Sequence, residues 1–309
     1  MPLAITYDDV VDAQSRIAGT VRPVTMIAAE PPNLLFAAEF MQHTGTFKAR
    51  GAVNFVTAHR QAGTMPDAGI VIASGGNAGL ACAWAATKCH VPATVFVPAT
   101  VPEFKKAKLI ALGADVRAVG TEYAQALEAS MDHAAHTGAL VSHAYDNPLI
   151  AAGAGTLLLD MLTADAFDTV VVSVGGGGLF AGIATVAAQR GVRVVAVEPE
   201  KCRAFAAGLE AGFPVDVPVD SIAADSLGAR RVTPLALTAA AASDTTSVLV
   251  DDDAIVEARQ HLWDSRRLVV EHAAAAAVAA IRAKRYEPKP GEKVAIILCG
   301  ANSDPSDLG

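Results

Sequence analysis

Four consecutive glycines, Gly175 to Gly178, constrain this chain more than any other feature. They follow the apolar run Thr169-Val170-Val171-Val172-Ser173-Val174 and precede Leu179-Phe180-Ala181, where a helical pattern begins. An unbroken valine-rich run suits a strand covered on both faces, as in a parallel sheet. Glycine loses more backbone entropy on folding than any other residue, so four in a row are costly for a simple turn. What they permit is close approach of the backbone to a ligand, with successive N–H groups turned toward one point. A helix N-terminus directly after them adds partial positive charge. The segment therefore reads as a phosphate cradle between a strand and a helix. No Gly-Lys-Ser/Thr follows, so it is not a P-loop. The dinucleotide fingerprint is not established either, although Glu198 stands ~20 residues on, where that fingerprint expects an acid.

The same alternation runs through the chain. Short apolar runs at 69–73, 93–97, 115–118, 169–174, 193–197 and 294–298 read as strands. Helical patterns at 78–88, 103–112, 122–136, 149–162 and 179–189 fill the gaps. Strands alternating with helices of this length predict βαβ units and an α/β fold with a parallel sheet. Hydrophobic residues make up 52% of the 309 but aromatics only 5%, so the core must be built from Ala, Val, Leu and Ile. The alanine run at 273–277 sits in a helical pattern and predicts a closely packed helix. The formal charge is −8 with no Lys/Arg block, which argues against a nucleic-acid surface. No apolar run reaches the length of a membrane span, and residues 1–10 lack the pattern of a secretory signal, so a cytoplasmic chain is expected. Cys82, Cys89, Cys202 and Cys299 form no C-x-x-C pair and have no His cluster with them, so neither zinc nor a disulfide framework is expected.

Two more segments stand out. Ser74-Gly75-Gly76-Asn77-Ala78-Gly79 again lies between a strand and a helix. Its N–H groups, the Ser74 hydroxyl and the Asn77 amide suit a carboxylate, although an ordinary helix cap has the same composition. Thr44-Gly45-Thr46-Phe47-Lys48-Ala49-Arg50-Gly51-Ala52 places a lysine between apolar neighbours near a helix start. Desolvation there would lower the amine's pKa and make it nucleophilic. Taken alone, an exposed lysine fits as well.

These three segments, in this order, resemble the serine/threonine dehydratase (ammonia-lyase) branch of the fold-type II pyridoxal-phosphate (PLP) enzymes, to which serine racemase is related. The resemblance extends through Asp146-Asn147-Pro148-Leu149-Ile150, Gly153-Ala154-Gly155-Thr156, Val197-Glu198-Pro199, Val270-Glu271 and Leu298-Cys299-Gly300-Ala301-Asn302, with residues 5–18 as a leading helix. It implies a tryptophan synthase β-like fold: two open, twisted, mostly parallel sheets flanked by helices. Residues 46–142 would form a small mobile domain, and 1–45 with 143–309 the large PLP-binding domain. It implies that Lys48 forms the Schiff base with pyridoxal 5'-phosphate and removes the α-proton, with Phe47 packed beside the cofactor. Asn77 would bond the pyridine O3′. Gly175, Gly176, Gly177, Gly178 and Leu179 would hold the phosphate, and Cys299 would face the pyridine nitrogen. Ser74, Gly75 and Asn77 would grip the substrate carboxylate. The implied reaction converts L-threonine and/or L-serine, by α,β-elimination, to a 2-oxo acid and ammonia, in a homodimer.

The departures narrow that picture. Gly75 stands where most members carry Ser, which in serine racemase is the second base, so dehydration without racemisation is expected. The family's divalent-metal site matches Glu198, but Ala204 replaces its Asp partner, which leaves room for a monovalent cation at most. Ser226 replaces a Gly after Asp225 near the expected side-chain pocket. The chain ends after the Cys299 segment, so no C-terminal regulatory domain is expected. Another β-eliminating or β-replacing reaction remains open: 3-hydroxyaspartate dehydratase, diaminopropionate ammonia-lyase or a cysteine synthase-like enzyme, the last disfavoured by Ala78 after Asn77. So does a non-catalytic phosphate-ligand-binding α/β protein.

Overall fold

The computed structural model describes residues 4–308. Ten strands form two sheets. In chain order they are β1 Met26–Ala28, β2 Leu34–Ala37, β3 Ile70–Ala73, β4 Ala93–Val97, β5 Asp115–Ala118, β6 Leu140–Val141, β7 Thr169–Ser173, β8 Arg193–Pro199, β9 Thr245–Val250 and β10 Val294–Ile297. One sheet runs β1-β2-β10-β7-β8-β9, the other β5-β4-β3-β6. Every pairing is parallel except β1 with β2. The α/β fold with two mostly parallel sheets is thus as the sequence predicts. The six strands read from the apolar runs are all present. β1, β2, β6 and β9 had not been read as strands.

The helices are α1 Tyr7–Ile17, α2 Lys48–Gln61, α3 Asn77–Lys88, α4 Glu103–Ala111, α5 Tyr123–Thr137, α6 Pro148–Ala164, α7 Gly178–Arg190, α8 Ala204–Ala211, α9 Ala224–Leu227, α10 Pro234–Ala241, α11 Asp252–Arg266 and α12 His272–Arg282. No helix among the described residues is long and apolar enough to cross a membrane. β7 is buried at all five positions, as its valines require when helices cover both faces. α12, carrying the alanine run, is buried from Ala273 to Ala280.

The centre of the molecule is α6, whose side chains are buried nearly all round. Asn147 caps it, its Oδ1 accepting from the N–H groups of Leu149 and Ile150, and Pro148 starts it. It lies between α2 and α7, and small residues set those crossings. A Cβ on Gly155 would come within 2.8 Å of the Gly182 carbonyl, and one on Gly153 within 2.7 Å of the Arg50 carbonyl. Leu157, fully buried here, would cost about 2–5 kcal/mol if cut to Ala. Because α2 and α7 are clamped to one helix, the residues at their N-terminal ends are held in fixed relation. Those ends carry Lys48 and Gly178.

Candidate active site

Both glycine-rich loops leave the carboxyl end of a parallel strand and open a helix: β3 into α3, and β7 into α7. This is where open α/β sheets bind ligands. Between the loops lies a cavity of about 550 Å³. Phe47, Lys48, Ser74, Gly76, Asn77, Gly175, Gly176, Gly177, Gly178, Leu179 and Cys299 line it. Residues named from three distant segments therefore meet around one space. Gly75 does not line it; a Cβ there would point at Val101, 3.2 Å away, and Val97.

Lys48 is the first residue of α2, and backbone pairing sets its place. Thr46 bridges Gly300, and the Phe47 N–H donates to the Cys299 carbonyl at 3.0 Å. The chain just before Lys48 is thus stitched to the chain just after β10. Lys48 Nζ donates to the Ala144 carbonyl at 3.1 Å and stands 4.8 Å from the centre of the Phe47 ring. Among the described residues no carboxylate forms an ion pair with it. Burial lowers its pKa to about 8, against a smaller upward pull from Cys299 and Glu271. Burial pushes the Cys299 thiol up to about 12, so it is neutral near pH 7.

The glycine loop has no room for side chains. A Cβ on Gly176 would fall 2.3 Å from the Tyr145 ring, and one on Gly177 2.5 Å from the Ala236 Cβ. Gly177 also has φ +96°, a conformation that L side chains rarely adopt. The first N–H groups of α7 have no intrahelical partners and lie beside the cavity.

Glu271 and Asn302 belong to the resemblance, but nothing in the sequence assigned them a task. Asn77 Nδ2 donates to both Glu271 carboxylate oxygens, at 2.8 and 3.0 Å. Asn302 donates from its backbone to Glu271 Oε1 at 2.9 Å and from its amide to Asn77 Oδ1 at 2.8 Å. The Asn77 amide is thereby fixed in orientation. Burial raises the Glu271 pKa, and the bonds from Asn77 and Asn302 offset part of that rise. Tyr145, over the glycine loop, and Tyr123, Asp225, Ser226 and Arg230 are also among the lining residues. The two tyrosines were not found from the sequence either, since nothing in the 121–147 stretch marks them as lining a site.

Glu198 lies elsewhere. Both its oxygens accept backbone N–H groups at the start of α8, from Phe205 at 2.7 Å and Ala206 at 2.8 Å. Burial raises its pKa to about 7. It serves as an anchor for that helix, and no group of three or more His, Cys, Asp or Glu among the described residues is placed to hold a metal ion.

The sequence profile of the pyridoxal-phosphate dependent enzymes matches residues 21–300. The chain belongs to the pyridoxal-phosphate dependent enzyme family. It is 32% identical to an L-threonine ammonia-lyase of Geobacter sulfurreducens, over 97% of this chain and 76% of that one. It is also 32% identical to a serine dehydratase-like protein of Mus musculus, over 91% of this chain and 88% of that one. Among solved structures, maize serine racemase superposes with a TM-score of 0.89 at 27% identity, covering 98% of this chain and 95% of that one.

The residues of this PLP enzyme fit its cofactor. The glycine cradle and the α7 N-terminus suit a phosphate dianion. A half-buried lysine amine with no carboxylate partner suits a carbonyl carbon. A neutral thiol suits a ring nitrogen onto which no proton is forced.

Proposed function

We propose that this enzyme is an ammonia-lyase that converts L-threonine and/or L-serine to a 2-oxo acid and ammonia. The observation that carries the reading is the half-buried Lys48 amine, desolvated and without an ion pair among the described residues, on the same cavity as the glycine cradle. When bound, PLP supplies an electron sink that acidifies the α-proton of an amino acid attached to it.

The chain's own residues do the rest. Lys48 Nζ would carry the cofactor, and its amine would accept the α-proton of the substrate. Its pKa near 8 leaves part of it uncharged at neutral pH, as a base requires. Phe47 shields the amine from water. Gly175 to Gly178, with Leu179, hold the phosphate through backbone N–H groups. The Asn77 amide, oriented by Glu271 and Asn302, would face the ring oxygen. Cys299 would offer the ring nitrogen a neutral partner, which favours prompt loss of the β-hydroxyl. Ser74 and Asn77 would grip the substrate carboxylate with side-chain groups, and the loop between them with backbone N–H. Water leaves from the α and β carbons, and hydrolysis of the resulting enamine gives the 2-oxo acid and ammonia.

Gly75 offers no proton-moving group at the position where the resemblance puts the second base, so elimination is expected to outpace inversion. We take the enzyme to be a cytoplasmic homodimer. The test is release of 2-oxo acid and ammonia from L-threonine, L-serine, 3-hydroxyaspartate and 2,3-diaminopropionate, with chiral chromatography of the serine reaction. The expected result is turnover of L-threonine or L-serine with little D-serine. Turnover of the other two compounds alone, or D-serine formation rivalling pyruvate release, would overturn it.

A further inference from the structure

The turn from β6 into α6, residues 143–147, touches the cavity at two points. The Ala144 carbonyl accepts from Lys48 Nζ. The Tyr145 ring packs on Gly176, and a Cβ on Gly178 would meet the Tyr145 carbonyl at 2.8 Å. One side chain ties this turn together. His143 Nδ1 accepts from the N–H of Asp146 at 2.9 Å and of Tyr145 at 3.3 Å. Its ring meets the Tyr145 ring edge-on, with centroids 4.9 Å apart. A ring nitrogen that accepts hydrogen bonds carries no proton, so the neutral ring must be protonated on Nε2.

We propose that His143 is a positioning residue: with Nδ1 unprotonated it holds the turn that offers the Ala144 carbonyl to Lys48 and lays Tyr145 on the glycine loop, and protonation of Nδ1 releases both. The proposal rests on the reading of Lys48 and the glycine loop as the cofactor site. A proton on Nδ1 would face two N–H donors across hydrogen-bonding distance, so the bonds turn from attraction to repulsion.

The groups around the ring set where this happens. Partial burial holds the His143 pKa below the ordinary 6.5, Asp146 on the same turn pulls it up, and Lys48 on α2 pushes it down. Tyr145 and, behind the turn, Cys82 on α3 are neutral near pH 7, burial having raised both, the thiol to about 12. A histidine whose folded pKa is depressed binds fewer protons in the native state. The arrangement is therefore intact at neutral pH and is lost as pH falls through the folded pKa, which lies below 6.5.

His143→Asn and His143→Ala separate the acceptor from the titration. An Asn oxygen can take the same two N–H groups but does not titrate. Cofactor affinity is measured by absorbance titration of the apo-enzyme from pH 5.5 to 8.5, which needs no substrate and so stands apart from any failure of the assigned reaction. At pH 7.5, Ala should weaken PLP binding about fivefold, the worth of roughly 1 kcal/mol of lost hydrogen bonding, while Asn stays within about twofold of wild type. Lys48 and the cofactor phosphate also titrate, so the decisive quantity is the weakening between pH 7.5 and 5.5 in wild type relative to Asn. It should be at least about threefold larger in wild type. Equal weakening in wild type and Asn, or an Ala variant that matches wild type at pH 7.5, would overturn the proposal. Should the Ala variant not fold, the wild-type and Asn pair still decides it.

Discussion

Lys48 and Arg50 stand two residues apart in the first turn of α2, and the fold treats their charges in opposite ways. Arg50 is fully buried and bonded at every nitrogen. Nε and Nη2 fork onto Glu39 at 2.7 and 3.1 Å. Nη1 reaches Asp160 at 2.7 Å and Thr156 at 3.2 Å, and Nη2 also reaches the Arg22 carbonyl at 3.3 Å. Burial alone would lower its pKa, but Glu39 and Asp160 more than offset that, and it stays charged. Lys48 has one carbonyl and one aromatic ring. Nothing offsets its desolvation fully, and its pKa drops to about 8. A planar guanidinium with five donors can be satisfied in a dry interior, and becomes a structural clamp between α2, the chain before it and α6. A flexible amine left short of partners becomes a reagent instead.

Breaking each side of this contrast should have separable consequences. Lys48→Ala should lower turnover by roughly a thousandfold or more, about 4 kcal/mol of barrier, while the fold survives, since a poorly compensated buried charge is removed. Steady-state kinetics and circular dichroism read the two halves of that statement. Arg50→Met should do the reverse and act on stability. It strands the buried Glu39 carboxylate and should cost about 3–5 kcal/mol in urea denaturation. Gly176→Asp, aimed at the partner loop rather than at either cation, drives a side chain into the Tyr145 ring and a negative charge into the cradle. PLP affinity should fall at least ~10-fold, or ~1.4 kcal/mol. The smallest effect is in pH dependence. Between about 8 and 10.5 the unfolded chain holds a proton on Lys48 that the native state does not. Stability of the apo wild type relative to Lys48→Met should therefore rise with pH across that window. A flat difference in urea midpoints would mean that the amine is not desolvated.

The contrast between the two cations was not legible in Lys48-Ala49-Arg50 itself. The segment order pointed to Lys48, but Glu39, Asp160 and Ala144, which decide the two environments, lie up to 110 residues away in the chain. The glycine loop was plain because its signal is local: an apolar strand, four glycines, then a helix. The Asn77 clamp was not, since Glu271 and Asn302 reach it across separations of 194 and 225 residues. Among the strands, β6 is only two residues long, and β9, Thr245–Val250, is a half-buried edge whose Thr-Thr-Ser start does not read as core. Gly75 was expected to touch the substrate, yet it does not line the cavity, and a Cβ there would meet Val101.

Trapping the cofactor on the protein tests the central claim most directly. Borohydride reduction of the holoenzyme, followed by digestion and peptide mass mapping, locates the lysine that carries PLP. The account predicts a stable pyridoxyl group on Lys48 and loss of activity in step with labelling. A label on any other lysine, or full occupancy by cofactor with no label on Lys48, would contradict it.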